Sequence, residues 1–134
     1  MKVKMIQAIK AYNVLENLNP GSLDKNITAK IWKNLKELRE ICKKYAEGIE
    51  KIRTSLCEDP RFDEMNDRIS KGEDSEEIRE WCSNWSDISK KELTSLNESE
   101  VEVNVIGLPG EELMAGLNQQ TTFTDLLELD WIIM

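Results

Sequence analysis

The sequence has no histidine, and its three cysteines, Cys42, Cys57 and Cys82, are separated by 15 and 25 residues. A structural zinc site needs four cysteine or histidine ligands, so a site of that kind is excluded. We expect the cysteines to act as small apolar side chains that are buried or partly buried. The alternative, a reactive thiol, needs an activating group other than histidine.

Long apolar runs are also missing. The longest is the last four residues, Trp131 to Met134, which is far too short to span a bilayer. The first ten residues carry lysines but lack the apolar stretch of a signal peptide. The sequence therefore predicts a cytosolic protein that does not bind membranes.

Motifs typical of catalysis or of cofactor binding are absent, including glycine-rich phosphate loops and Gly-x-Ser-x-Gly. The acidic residues that begin at Asp63 do not follow the calcium-loop pattern, because the third position is Met65 and the sixth is Arg68. Carboxylate pairs such as Glu76/Glu77 are neighbours in a polar stretch, and such neighbours do not build a catalytic cleft. We therefore predict a protein that is not an enzyme and has no catalytic, cofactor-binding or metal-binding residues.

Charge is distributed unevenly along the chain. Residues 1–56 contain 12 basic and 6 acidic residues, whereas residues 57–134 contain 6 basic and 20 acidic residues, and the net charge is −8. Two interpretations stay open: the two parts attract each other, or the acidic part offers a surface to a partner. Five of the six lysines between residues 30 and 51 have a glutamate four residues away, as in Lys33/Glu37 and Lys36/Glu40. We therefore predict paired surface charges and no direct binding of nucleic acid.

Two helices are predicted before residue 57. Apolar residues at three- and four-residue steps favour a first helix over residues 5–18, and the turn at residues 19–22 ends it. A second helix is predicted from residue 24 or 26 to residue 56, with Gly48 as a weak point. Its apolar or small residues form a heptad seam: Ile31, Leu35, Leu38, Cys42, Tyr45, Ile49, Ile52 and Leu56. We expect this seam to be hidden against another helix of the same or a second chain.

The next part of the chain predicts a short helical turn over residues 62–69 and a further helix after Ser75. The Ser75 side chain is expected to cap this helix, and the glutamates at 76 and 77 suit its positive end. Trp81 and Trp85 lie one turn apart on its apolar face. We expect both rings to fill the core, with a ligand-stacking platform as the alternative. The helix is expected to return antiparallel along the second helix.

The hydrophobic period changes to two at residue 100, where valines at 101, 103 and 105 alternate with polar residues and predict a half-buried strand. After the turn signal Pro109-Gly110, residues 111–117 are predicted to form a second strand or a short turn. Thr122 or Thr124 is expected to cap a short C-terminal helix. The predicted fold is α+β but mostly α: an antiparallel helical hairpin, a small β-hairpin and the C-terminal helix. We expect a single domain, 1–134, with its helical part at 1–97 and the remaining elements at 98–134.

The order of these features resembles small uncharacterised acidic helical proteins of tailed bacteriophages and prophages. The resemblance rests on the Lys/Glu-rich long helix, on LNESEVEVNVI at residues 96–106 and on TFTDLLELDWIIM at residues 122–134. It covers most of the chain, although residues 59–74 depart from the pattern. The resemblance implies a phage context, and that family supplies no catalytic residue.

Five residues are candidates for an interface: Trp32, Trp131, Ile132, Ile133 and Met134. Trp32 lies beside the heptad seam, and the other four form an apolar chain end that either docks on the protein's own core or engages a partner. We therefore expect a non-enzymatic phage or prophage accessory protein in the host cytosol that acts through protein–protein contacts, including self-association as a homodimer. The alternative is an acidic inhibitor of a host nucleic-acid-binding enzyme that works by charge mimicry.

Overall fold

A computed structural model describes residues 1–134. The protein is mostly helical, with a single two-stranded antiparallel sheet. The strands are β1 (Lys2–Lys4) and β2 (Glu100–Glu102), and the α-helices are α1 (Met5–Asn17), α2 (Lys25–Cys57), α3 (Phe62–Ser70), α4 (Glu76–Glu98) and α5 (Gly110–Leu113). Three short 3-10 segments cover Pro20–Ser22, Met114–Gly116 and Asp125–Leu129. No helix has the length and apolar composition needed to cross a bilayer.

The chain forms two compact units, which we name by their content. The sheet unit comprises residues 1–44 and 99–134, and the helical unit comprises residues 45–98. Helix α2 contributes residues to both. The sequence-based expectation of one domain with a boundary near residue 97 stays a prediction, because compactness alone does not measure independent folding.

The predicted β-hairpin, with a first strand from residue 100 and a second strand at residues 111–117, is wrong, because β2 pairs with the N-terminal strand β1 instead. The register places Lys2 opposite Glu102, Val3 opposite Val101 and Lys4 opposite Glu100. Cross-strand pairs of opposite charge on one face and of valines on the other suit this register. Residues 110–116 are helical, because Pro109 precedes the first turn and acidic side chains follow within it, at the positive end of α5.

Side chains of α2 continue the hydrogen bonding of the segment that follows β2. The Ile106 N–H donates to Asn34 Oδ1 at 2.6 Å, and Asn34 Nδ2 donates to the Ile106 carbonyl at 2.8 Å. The Asn104 N–H donates to Glu37 Oε1 at 3.1 Å. β2 is only three residues long, although its alternating pattern extends to residue 105, because its partner β1 begins at Lys2, opposite Glu102. Beyond that point, side chains of α2 supply hydrogen-bond partners to the chain.

The buried stripe of α2 in the sheet unit differs from the predicted seam. Its buried residues are Ile27, Ile31, Asn34, Leu38 and Ile41. Leu35 and Cys42, which the predicted seam includes, are only half-buried. Part of the difference comes from Asn34, a core residue whose amide makes two hydrogen bonds, because an apolar pattern counts asparagine as surface.

The C-terminal segment packs against other parts of the sheet unit. A parallel bridge joins Leu108 to Ile133, in which the Leu108 N–H donates to the Ile132 carbonyl and the Met134 N–H donates to the Leu108 carbonyl, both at 3.0 Å. The expected C-terminal helix is a 3-10 helix that packs against α1. Asp125 Oδ2 accepts a hydrogen bond from the Thr122 N–H at 2.8 Å, so the aspartate rather than a threonine caps the turn.

Within the helical unit, the part of α2 that begins at Tyr45 contacts the end of α4. Tyr45 donates its hydroxyl proton to Asn97 Oδ1 at 2.7 Å. Gly48 lies against Leu96, and a Cβ on Gly48 would come within 2.9 Å of Leu96 Cδ1. The glycine that the sequence presents as a weak point of the helix therefore leaves room for the Leu96 side chain of α4.

The beginning of α4 is capped as predicted. Ser75 Oγ accepts a hydrogen bond from the Ile78 N–H at 3.3 Å. Phe62 of α3 lies 6.1 Å from Trp81 and 6.3 Å from Trp85, between ring centroids, and the two tryptophans are 6.4 Å apart. These three rings are half-buried and form the aromatic centre of the helical unit.

Candidate interaction surfaces

Buried apolar side chains are concentrated in one of the two units. Nineteen apolar residues are buried, and all but Met65 and Ile78 belong to the sheet unit. The helical unit has 54 residues. Eight large apolar or aromatic side chains that line its grooves or form its aromatic centre are half-buried or exposed: Ile49, Ile52, Leu56, Phe62, Trp81, Trp85, Ile88 and Leu93. A unit of this size needs an extensive core to be stable by itself. Its apolar surface is therefore only partly covered within the chain.

An apolar face on α2 and α4 contains the uncovered side chains. We define the helical face as Ile49, Ile52, Leu56, Trp85, Ile88 and Leu93. These residues line two adjoining grooves of about 270 Å³ and 360 Å³, which share Leu56 and Trp85. Ile88 is 51% exposed, and Ile49 and Leu93 are also exposed. The second half of the predicted seam thus ends at a surface groove instead of being fully hidden.

Charges around the helical face are balanced. Residues 45–57 contain two acidic and two basic residues, and so do residues 81–97. Residues 58–80, which join these two segments, contain ten acidic and four basic residues. Of these ten acids, Asp59 lines the groove of about 360 Å³ of the helical face, and the other nine line neither groove.

Part of that acidic excess is neutralised by a network around Arg68. The Arg68 guanidinium lies 3.2 Å from Glu77 Oε2 and 3.8 Å from Glu64 Oε1, and it also pairs with Glu73. Arg61 pairs with Glu77 as well. Hydrogen bonds from Arg61 and then Arg68 hold the pKa of Glu77 below its ordinary value. This network links α3 to the beginning of α4.

In the sheet unit, the N-terminal lysines lie among the C-terminal acids. The terminal amine of Met1 pairs with Glu102 at 2.6 Å, and Lys10 Nζ lies 4.0 Å from Glu128. The unit contains 10 basic and 11 acidic residues, so it is nearly neutral. Within this unit, the attraction of basic and acidic parts is the interpretation that the structure supports.

Trp32 is the second exposed apolar feature. Its side chain is 58% exposed and stands between two grooves of about 220 Å³ and 560 Å³. Both grooves are also lined by Pro20 and Thr28, and Lys25 lines the larger one. Lys36 Nζ lies 4.5 Å from the indole centroid, a cation–π distance. We define the Trp32 surface as Pro20, Lys25, Thr28, Trp32 and Lys36.

The ion pairs predicted four residues apart along α2 are not formed. The one ion pair between two side chains of α2 joins Lys43 Nζ to Glu40 Oε1 at 3.3 Å. Glu37 instead accepts the backbone N–H of Asn104, and Lys36 lies over Trp32. Glu37 thus has a tertiary partner and Lys36 an aromatic one a turn earlier in α2, and either contact competes with a helical ion pair that contributes only a few tenths of a kcal/mol.

The four C-terminal candidates differ in their positions. Ile132 is buried, Trp131 and Ile133 are half-buried, and Met134 is exposed. Trp131 Nε1 is buried without a hydrogen-bond acceptor, as is Trp85 Nε1. Ile132 therefore belongs to the core, which corresponds to the docked alternative, while a role of the other three in an interface stays a prediction. Sequence reasoning missed two exposed apolar side chains, Phe123 and Leu127.

The cysteines form no disulfide bond: Cys57 is exposed, and Cys42 and Cys82 are half-buried. Burial is the main cause of a raised pKa of the Cys42 thiol, and the nearby Glu16 carboxylate raises this pKa further. No group of three or more cysteine, aspartate and glutamate side chains is arranged to hold a metal ion.

Comparison with known proteins adds no further assignment. The chain matches no family model, and no curated protein or solved structure shows significant similarity to it.

Proposed function

We propose that this protein is a non-enzymatic accessory protein of a tailed phage or prophage, located in the host cytosol, and that it acts through protein–protein contacts. The helical face is the observation that carries this proposal. It combines exposed isoleucine and leucine side chains with a half-buried tryptophan on two adjacent helices. Contiguous apolar patches of this kind are typical of protein interaction sites.

The energetics favour a covered face. Complete burial of one isoleucine or leucine side chain contributes about 1.5–3 kcal/mol. The helical unit leaves Ile49, Ile88 and Leu93 exposed and has only two buried apolar residues. Contact with another apolar surface would therefore stabilise this unit more than any of its exposed ion pairs, which typically contribute less than about 1 kcal/mol each.

We propose a second copy of the chain as the partner. A two-fold contact brings the same patch together from both copies, so the patch must complement itself. The segments that form the helical face each carry equal numbers of acidic and basic residues, so two copies meet without net repulsion there. In this proposal α4 and the end of α2 form an antiparallel hairpin, and two hairpins assemble into a four-helix bundle.

Sedimentation velocity over a wide range of protein concentrations tests this proposal. We expect a monomer–dimer equilibrium, and Ile88→Glu should raise the dissociation constant at least about tenfold, which corresponds to about 1.4 kcal/mol. Ile69→Glu is the matched control, because Ile69 is 41% exposed in the same unit but lines neither groove of the helical face. A strict monomer at every concentration, or equal effects of both variants, would contradict self-association through this face.

A second candidate function is charge mimicry of nucleic acid, which the acidic excess of residues 58–80 favours. The C-terminal acids support it less, because Glu102 and Glu128 lie beside positive groups of the sheet unit. Salt-dependent binding to a basic nucleic-acid-binding protein, lost when Asp63 and Asp67 are changed to asparagine, would favour this function. Binding that is insensitive to salt would remove it.

A further inference from the structure

The Trp32 surface has a feature that the proposed self-association does not explain. Residues 25–36 of α2 contain four lysines and no acidic residue, although the whole chain has 26 acidic and 18 basic residues. Lys25 and Lys36 are exposed and take part in none of the ion pairs of the protein. The most acidic part of the chain is in the other unit. These cations are therefore uncompensated.

The uncompensated cations lie beside an apolar anchor site. Trp32 separates two open grooves, and Pro20 contributes to both. Lys25, Trp32, Lys36 and Arg39 are spaced by seven, four and three residues, so they follow one side of the helix. A ligand that inserts an apolar side chain beside the indole would meet an ammonium group on either side.

We infer that the Trp32 surface binds an acidic peptide segment of a partner protein that carries at least one aromatic or leucine side chain. Tryptophan is enriched among residues that dominate binding energy at protein interfaces. Carboxylates of the peptide would pair with Lys25 and Lys36, which accelerates association and sets the orientation of the peptide. Single-stranded nucleic acid also uses stacking and cations, but it needs a row of cations that follows its backbone, and Lys25 is the only basic residue that lines either groove.

An unbiased selection identifies the ligand chemistry. A displayed library of random peptides is selected on the full-length protein, with the Trp32→Ala variant used to remove peptides that bind elsewhere. We expect enrichment of aspartate and glutamate together with aromatic residues or leucine. Failure to enrich any sequence, or enrichment of neutral or basic sequences, would overturn the inference.

The most enriched peptide is then labelled with fluorescein and titrated with the protein, and anisotropy is recorded. We expect Trp32→Ala to weaken binding at least tenfold and Lys25→Gln and Lys36→Gln to weaken it less. Added salt should weaken binding by the wild type more than binding by these two lysine variants. Phe123→Ala is the matched control, because Phe123 is 65% exposed in the same unit and lies outside both grooves. Equal binding by Trp32→Ala, or tighter binding of oligo(dT) than of the peptide, would overturn the inference.

Sedimentation of Trp32→Ala separates this surface from the proposed dimer. We expect the variant to self-associate as the wild type does. A loss of self-association in Trp32→Ala would assign the Trp32 surface to contact between copies and would overturn the inference. A wild-type protein that is monomeric but still binds the acidic peptide would reject only the proposed dimer.

Discussion

Asn34 and Ile106 are joined by two hydrogen bonds between the side-chain amide of one and the backbone of the other. The distances are 2.6 Å and 2.8 Å, and Asn34 is 0% exposed. A side-chain amide has a donor and an acceptor on the same carbon, so it reproduces the pairing that a neighbouring strand would provide. One polar side chain thereby fixes the position of the extended segment after β2 against α2.

Replacement of Asn34 by leucine should therefore destabilise the protein strongly. The change leaves the N–H and the carbonyl of Ile106 without their protein partners, and the loss of one hydrogen bond typically costs about 0.5–1.5 kcal/mol. We expect a loss of about 1–3 kcal/mol in the free energy of unfolding, measured by urea denaturation. Asn13→Leu, on the exposed side of α1, is the control and should change stability by less than about 0.5 kcal/mol. Equal stability of the two variants would contradict this role of Asn34.

Gly72 ends α3 with a positive φ of 80°, and the Glu73 N–H donates to the Arg68 carbonyl across this turn at 3.1 Å. Since nothing lies within 4 Å of a Cβ at this position, only the backbone conformation opposes a side chain. Gly72→Ala should lower the melting temperature and cost about 1–2 kcal/mol. Gly21→Ala is the control, because its backbone is in a conformation that alanine adopts easily and its Cβ would make only an ordinary contact at 3.5 Å. An unchanged melting temperature for Gly72→Ala would show that the turn relaxes freely.

Glu77 should make stability depend on acidic pH. Its pKa is lowered in the folded protein by hydrogen bonds from Arg61 and Arg68. Its stabilising contribution is therefore complete above the pKa of the unfolded chain and is lost as the pH falls through the lower pKa of the folded state. We expect Glu77→Gln to lower the melting temperature at neutral pH, and the difference from the wild type to shrink as the pH falls. Glu80→Gln, which removes an acid that forms no ion pair, is the control and should lower the melting temperature less. A difference in melting temperature between Glu77→Gln and the wild type that stays constant with pH would argue against the network.

Local signals in the sequence predicted most of the helices. Ser75 caps α4 because an N-cap depends only on its own side chain and the next three residues. The break at Pro20 and the helix that follows it are local in the same sense. These features can be read from a short window because the interactions that cause them connect residues close in sequence.

Features that depend on distant partners were not predicted. β1 is three residues long and pairs with a strand about 100 positions away, so its own pattern carries no strand signal. Asn34 is absent from the predicted seam, because its role depends on a partner, Ile106, that is 72 residues away. For the candidate site, the position of Trp32 beside the seam indicated exposure, but its grooves depend on Pro20, which precedes the helix. The helical face could not be predicted, because a heptad pattern does not say how much of a seam a partner covers.

The sheet unit is discontinuous in sequence, because residues 45–98 separate its two parts. Six of its seventeen buried apolar residues, including Leu108 and Leu129, come from residues 99–134. During synthesis on the ribosome, which proceeds from the N-terminus, α1 and the first half of α2 are made long before these residues emerge. The contacts that close this core have a large sequence separation, which slows folding. A nascent chain stalled at residue 98 would therefore present the apolar sides of α1 and α2 to chaperones, and release of the last 36 residues is the step that completes the unit.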